Sequence, residues 1–152
     1  MSARAASSAI AYWLLKSEPK EWSWNQQKKA GRKGAEWDGV RNFQARANLR
    51  KMKKGDLGFF YHTGDEKQVV GIVKVVKEAH PDSTDGTGQW DAVDVAAVTD
   101  LPTPVTLAEI KANPKLKDMV LARVPRLSVQ PVSPQEWSMI AKLGGLPKLP
   151  QA

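Results

Sequence analysis

Apolar positions in this chain fall into short runs with two different periods. Residues 11–16 (AYWLLK) form an aromatic-rich run that predicts a strand ended by Pro19. Residues 56–62 (DLGFFYH) and 69–76 (VVGIVKVV) predict two more strands around the loop 63–68. Residues 91–98 alternate, with Val93, Val95 and Ala97 on one face and Asp94 on the other, and 126–132 (RLSVQPV) closes the set of strands. Between them lie helical stretches recognisable by their starts. Asn42 is placed as the N-cap of a helix over 43–52, which ends at Lys53-Lys54-Gly55 with cations beside its carbonyl end. Thr106 with Glu109, and Ser133 with Glu136, have capping-box spacing. Val105/Ile110 and Val132/Trp137 sit as staples, Pro134 takes the first helical position, and Gly144 is placed as the stop of the second helix. Residues 21–30 predict a further short helix, 31–34 a basic loop, 36–40 a strand or turn, and 80–89 an exposed loop rich in Asp, Ser, Thr and Gly.

Strands interrupted by helices, without regular strand–helix alternation, predict an α+β fold: a small mixed β-barrel of five to six strands with peripheral helices. The expected organisation is one domain over 11–144, with flexible tails at 1–10 and 145–152. Its length of 152 residues suffices for one core.

Charge adds an asymmetry. Residues 28–54 hold ten basic side chains against only Glu36 and Asp38, whereas 78–100 hold six acids and no Lys or Arg. The whole positive excess of the chain, +7, therefore sits in one segment. A solvated basic helix would produce such a run, but so would a phosphate-facing surface, for which Lys28, Lys29, Arg32, Lys33, Arg46, Arg50 and Lys54 are the candidates. The absence of cysteine removes disulfides, thiolate metal sites and a thiol nucleophile. Residues 1–9 lack the apolar core of a signal peptide and no stretch approaches membrane-spanning length, so a cytoplasmic protein is expected.

Enzymatic motifs give no lead. There is no GxSxG, P-loop, GxGxxG or HExxH, and Asp82, Asp85, Asp91 and Asp94 do not follow a calcium-loop spacing. No catalytic residue, metal or cofactor is assigned. The six tryptophans are more informative. Trp13 and Trp137 read as core, but Trp37 and Trp90 sit among Gly and Asp at element ends, where an indole can wall a pocket and stack a flat ligand. Asn42, Arg41, Ser17, Thr63 and His62 are the polar groups that would meet the edge of such a ligand.

KSEP at 16–19, WDGVRNFQAR at 37–46, FYHT at 60–63, GIV at 71–73, Pro81-Asp82, Trp90 ahead of Val93-Asp94-Val95 and RLSVQPV at 126–132 occur in one order. Together they resemble the EVE domain family, over about residues 12–143. The resemblance implies a PUA-like fold, akin to the YTH domains that read a methylated adenine. It also implies binding of modified bases, modified cytosine in DNA foremost, with Ser17, Trp37, Asn42, Tyr61 and His62 in the pocket and Arg126 and Ser128 beside it. Three departures bear on the site: Thr63 stands where the family usually has Ser, Ala47-Asn48 replaces Asn and an apolar residue, and Val124-Pro125 replaces a polar pair.

The expected function is a non-catalytic, monomeric reader in which Trp37 and Trp90 stack a base and the basic segment holds phosphates. A PUA-like module for tRNA or rRNA is the second reading, and a hydrolase or base-modifying enzyme is the third. A purely structural Trp37 and an Arg41 paired to an internal acid stand against all three.

Overall fold

The computed structural model describes residues 9–146, so the greater part of both expected tails, 1–8 and 147–152, lies outside the described residues. Six strands form one mixed sheet: β1 (Tyr12–Ser17), β2 (Ala35–Glu36), β3 (Leu57–His62), β4 (Gln68–Pro81), β5 (Asp91–Thr106) and β6 (Val129–Val132). Their order is β2-β5-β4-β3-β1-β6, and only the β1–β3 pair is parallel. Among the described residues the sheet does not close, since β2 and β6 are its two ends. Among the described residues five α-helices accompany it: α1 (Trp24–Lys29), α2 (Phe43–Lys51), α3 (Leu107–Ala112), α4 (Val120–Arg123) and α5 (Pro134–Leu143). The mixed α+β architecture with peripheral helices is as the pattern predicts.

β4 and β5 run much further than their apolar segments. Pairing continues through His80↔Ala92 and Pro81↔Asp91, and the register shifts at four places along the ladder. Each irregularity increases local twist and coils the hairpin. Beyond Val76 the side chains of Lys77, Glu78 and Ala79 are exposed, so hydrophobic alternation stops while backbone pairing continues. That is why the strand is longer than its pattern. The loop expected over 80–89 begins only after Pro81.

Alternation along the strands splits the apolar residues into two cores. Trp13, Leu15, Phe60, Val73, Val75, Val93, Val95 and Val129 face one way and are covered by Trp24, Trp37, Leu49 and Leu127. Leu14, Phe59, Tyr61, Ile72, Leu101 and Val105 face the other way, beneath Ile110, Leu116, Trp137 and Ile140. Both predicted capping boxes are present at Thr106 and Ser133, and a third, not anticipated, joins Ser23 to Gln26. Helix α5 ends at Leu143 with Gly144 as its C-cap, as expected. Gly144 keeps a right-handed conformation, and the left-handed residue that turns the chain is Gly145, at φ 85°. β6 begins at Val129 rather than 126, because Val124 to Leu127 forms a turn that follows the short helix α4.

Candidate functional site

A cleft of about 560 Å³ opens between the end of β1, the turn after it, the segment 35–41 and Ser128. Two indoles border it. Trp37 is buried to 7% exposure and meets Phe60 edge-on at 5.4 Å, so one side of the ring belongs to the core and its margin to the cleft. Trp22 is half-buried, and its Nε1 donates to Oε1 of the fully buried Gln27 at 3.0 Å. The Gln27 amide in turn donates to the Val95 carbonyl at 2.9 Å, so Trp22 is anchored through Gln27 to the sheet. Ser17 donates its hydroxyl to the Trp22 carbonyl, and the Lys16 ammonium donates to the Pro125 carbonyl. Burial lowers the pKa of Lys16.

Segment 37–41 owes its path to one acid. The side chain of Asp82 is fully buried and accepts from the Gly39 amide (2.8 Å), the Arg41 guanidinium (2.9 Å), and the amide (2.7 Å) and hydroxyl (2.6 Å) of Thr84. Burial works against its ionisation, yet these hydrogen bonds outweigh it and hold the pKa at about 2. Gly39 is left-handed, at φ 80°, which lets its amide turn toward Asp82. The turn leaves Asp38 exposed on the cleft, its pKa raised by burial and by the nearby charges of Asp82 and Glu36.

Of the expected pocket residues, Ser17, Trp37 and Ser128 line this cleft, and Asn42, Tyr61, His62, Thr63, Trp90 and Arg126 do not. Asn42 caps α2, its side chain accepting from the Ala45 amide at 2.9 Å. Tyr61 faces the opposite core, and burial pushes its hydroxyl pKa up to about 12. His62 is buried beside α1: Nε2 accepts from the Trp24 amide at 3.0 Å, and Nδ1 lies 2.8 Å from Glu66. Thr63 donates its amide to the Ser17 carbonyl, and Arg126 is exposed. Trp90 stacks on Phe43 on the outer side of the WDGVRN segment.

The architecture and the cleft can be set beside known proteins. The EVE domain family model matches residues 11–143. The chain belongs to the EVE domain family. Human thymocyte nuclear protein 1 is 34% identical over 165 residues, covering 88% of this chain and 73% of that protein. A solved structure of an Agrobacterium tumefaciens protein superposes with a TM-score of 0.91 at 53% identity, covering 94% of this chain and 99% of that one. The human THYN1 protein in complex with 5-methylcytosine-containing DNA superposes at 0.81 with 35% identity, covering 92% and 99%. A YTH domain of Zygosaccharomyces rouxii, covering 91% of this chain and 89% of its own, shares the fold at a TM-score of 0.55 and 15% identity.

Within this EVE domain the cleft holds residues that the sequence reading passed over: Lys16, Glu18, Glu21, Trp22, Glu36 and Asp38. Trp22 was the detectable one, lying five residues after Ser17 in the KSEP turn. The basic segment is also dispersed. Lys28 pairs with Asp100 at 3.0 Å, Arg41 with Asp82 and Arg50 with Asp91. Lys29, Arg32 and Lys33 stay exposed on α1 and the short 3-10 turn after it, with no ion pair among the described residues.

Proposed function

We propose that this EVE domain binds nucleic acid by taking a single modified nucleobase, modified cytosine foremost, into the cleft beside Trp37 and Trp22. The observation that carries the reading is an indole-walled cleft with an exposed carboxylate, Asp38, at its edge. Its volume lies within the roughly 300–1,000 Å³ of small-molecule sites. A base drawn out of a strand needs a flat apolar wall and polar groups along its hydrogen-bonding edge, and both are available here. Four carboxylates line the cleft against two cations, Lys16 and Arg41. That balance disfavours a phosphate inside and favours a base that presents an amine, as cytosine does at N4 and thymine does not. The human relative crystallised with 5-methylcytosine-containing DNA supports a modified cytosine as the ligand.

The test is a titration with oligonucleotides carrying 5-methylcytosine, cytosine or thymine at one position, each as DNA and as RNA. Thymine supplies the methyl group without the amine, and the RNA arm adds the 2′-hydroxyl. The expected order places 5-methylcytosine first and thymine last. Asp38→Ala lowers affinity for 5-methylcytosine about tenfold, the loss of one good hydrogen bond to a charged group. Equal affinity for the three bases in both nucleic acids overturns the reading.

A further inference from the structure

Phe43 is the most exposed of the large apolar side chains among the described residues, at 64%. It is nevertheless held in place. Its ring stacks on Trp90 with centroids 5.1 Å apart and planes inclined by 25°. Trp90 is fixed in turn, because its amide donates to Asp85 at 2.9 Å and its carbonyl accepts from the Asp82 amide at 2.9 Å. The Arg46 guanidinium lies over both rings, 4.9 Å from the Phe43 centroid and 5.2 Å from that of Trp90. Arg46 donates to a neutral carbonyl, that of Gln89, and has no ion pair among the described residues. Its Nε is buried without a hydrogen-bond partner.

We propose that Phe43 and Trp90 form a second nucleobase-binding surface, a platform outside the cleft on which a base next to the recessed one stacks. A rigid ring with one face in water costs little entropy to engage, and base–aromatic stacking tolerates any base because each has a π-face. The charge of Arg46 is available to the strand that carries the base. The platform is one ring wide and bordered by Asn42, Gln44 and Arg46, all polar, which suits a single flat group better than a protein face that needs continuous apolar area. Arg41 links the two places: it lines the cleft, and its guanidinium carbon lies 5.8 Å from the Trp90 centroid. That the stacked base neighbours the recessed one rests on the cleft reading. The stacking itself does not.

The experiment titrates the wild-type chain, Phe43→Ala and Phe43→Leu with an oligonucleotide holding one 5-methylcytosine, with its cytosine counterpart, and with versions abasic on either side of the modified base. Both variants are expected to bind about tenfold more weakly, within the roughly 5- to 150-fold range of one base–aromatic stack, while the ratio of methylated to unmethylated affinity is unchanged. An abasic site on one side lowers wild-type affinity by a similar factor and leaves Phe43→Ala unaffected. Phe43→Leu retains bulk without a flat ring, so parallel losses with unchanged thermal unfolding assign the effect to stacking. Wild-type affinity in Phe43→Ala, or wild-type indifference to both abasic sites, overturns the platform. A Phe43-dependent affinity without any preference for 5-methylcytosine sinks the cleft reading and leaves the platform standing.

Discussion

The Asp82 carboxylate accepts hydrogen bonds from Gly39, Arg41 and Thr84, joining the WDGVRN segment to the loop that follows β4. Its pKa of about 2 lies below the 3.8 of an ordinary aspartate. The unfolded chain therefore takes up the proton first as pH falls, so the stabilisation is complete above pH 3.8 and disappears toward pH 2. Asp82→Asn is expected to lower unfolding free energy by about 2–3 kcal/mol at neutral pH, the worth of hydrogen bonds to a buried charge. Denaturant unfolding across pH should show the gap between the two proteins narrowing through that window. Trp37 calls for a different experiment from Asp38. At 7% exposure it belongs to the core, and Trp37→Ala is expected to remove about 3–5 kcal/mol, so its binding loss would report on folding. The exposed Asp38 can be truncated without that penalty. His62→Ala is expected to lower the melting temperature by a few degrees without altering base preference, since both ring nitrogens serve Trp24 and Glu66.

At the level of elements, the Thr106 and Ser133 helix starts were legible because capping is local chemistry, a hydroxyl and a carboxylate at fixed spacing, whereas the Ser23 box, with Gln26 in place of a carboxylate, was not. Thr106→Ala and Ser133→Ala are each expected to cost about 1 kcal/mol, readable as a shifted denaturant midpoint with an unchanged slope. Strand ends were less legible, since β4 and β5 keep pairing where their side chains turn to solvent. Gly71 shows a constraint that one sequence hides. A Cβ there would lie 2.2 Å from the Trp24 ring, so Gly71→Ala must displace the indole that covers the first core and donates to Asp100 at 2.6 Å. The expected cost is about 1–3 kcal/mol by equilibrium unfolding.

Across the whole molecule, the site was half legible. Residues 37–41 of WDGVRN and 16–18 of KSEP lie at the cleft because each is a short continuous stretch, whose neighbours in sequence are neighbours in space. The FYHT stretch does not, because a strand alternates: Phe60 and Tyr61 enter opposite cores, and His62 is taken up by α1. Nor does linear charge reveal which cations are already paired. On the proposed reading, with Lys28, Arg41 and Arg50 tied to acids and Arg46 beside the Phe43–Trp90 platform, phosphate contacts away from that platform are expected mainly at Lys29, Arg32 and Lys33. At about 0.9 per phosphate on duplex DNA, three contacts give a log–log salt slope near −3. Titrations from 50 to 200 mM salt test this, and replacing the three with Ala should flatten the slope without changing base preference.

The two ends of the sheet have a bearing on storage and expression. An unpaired strand edge recruits other chains in proportion to the length of regular backbone it displays. Here one edge is the two-residue β2, and the other is the four-residue β6, in which Pro131 has no N–H to offer. Of the two long strands, β4 lies between β3 and β5, whereas β5 is met on its outer side by β2 only at Val95 and Asp94. In concentrated solutions, any chain-to-chain strand pairing should accordingly start along the part of β5 beyond Val95 rather than at β2 or β6.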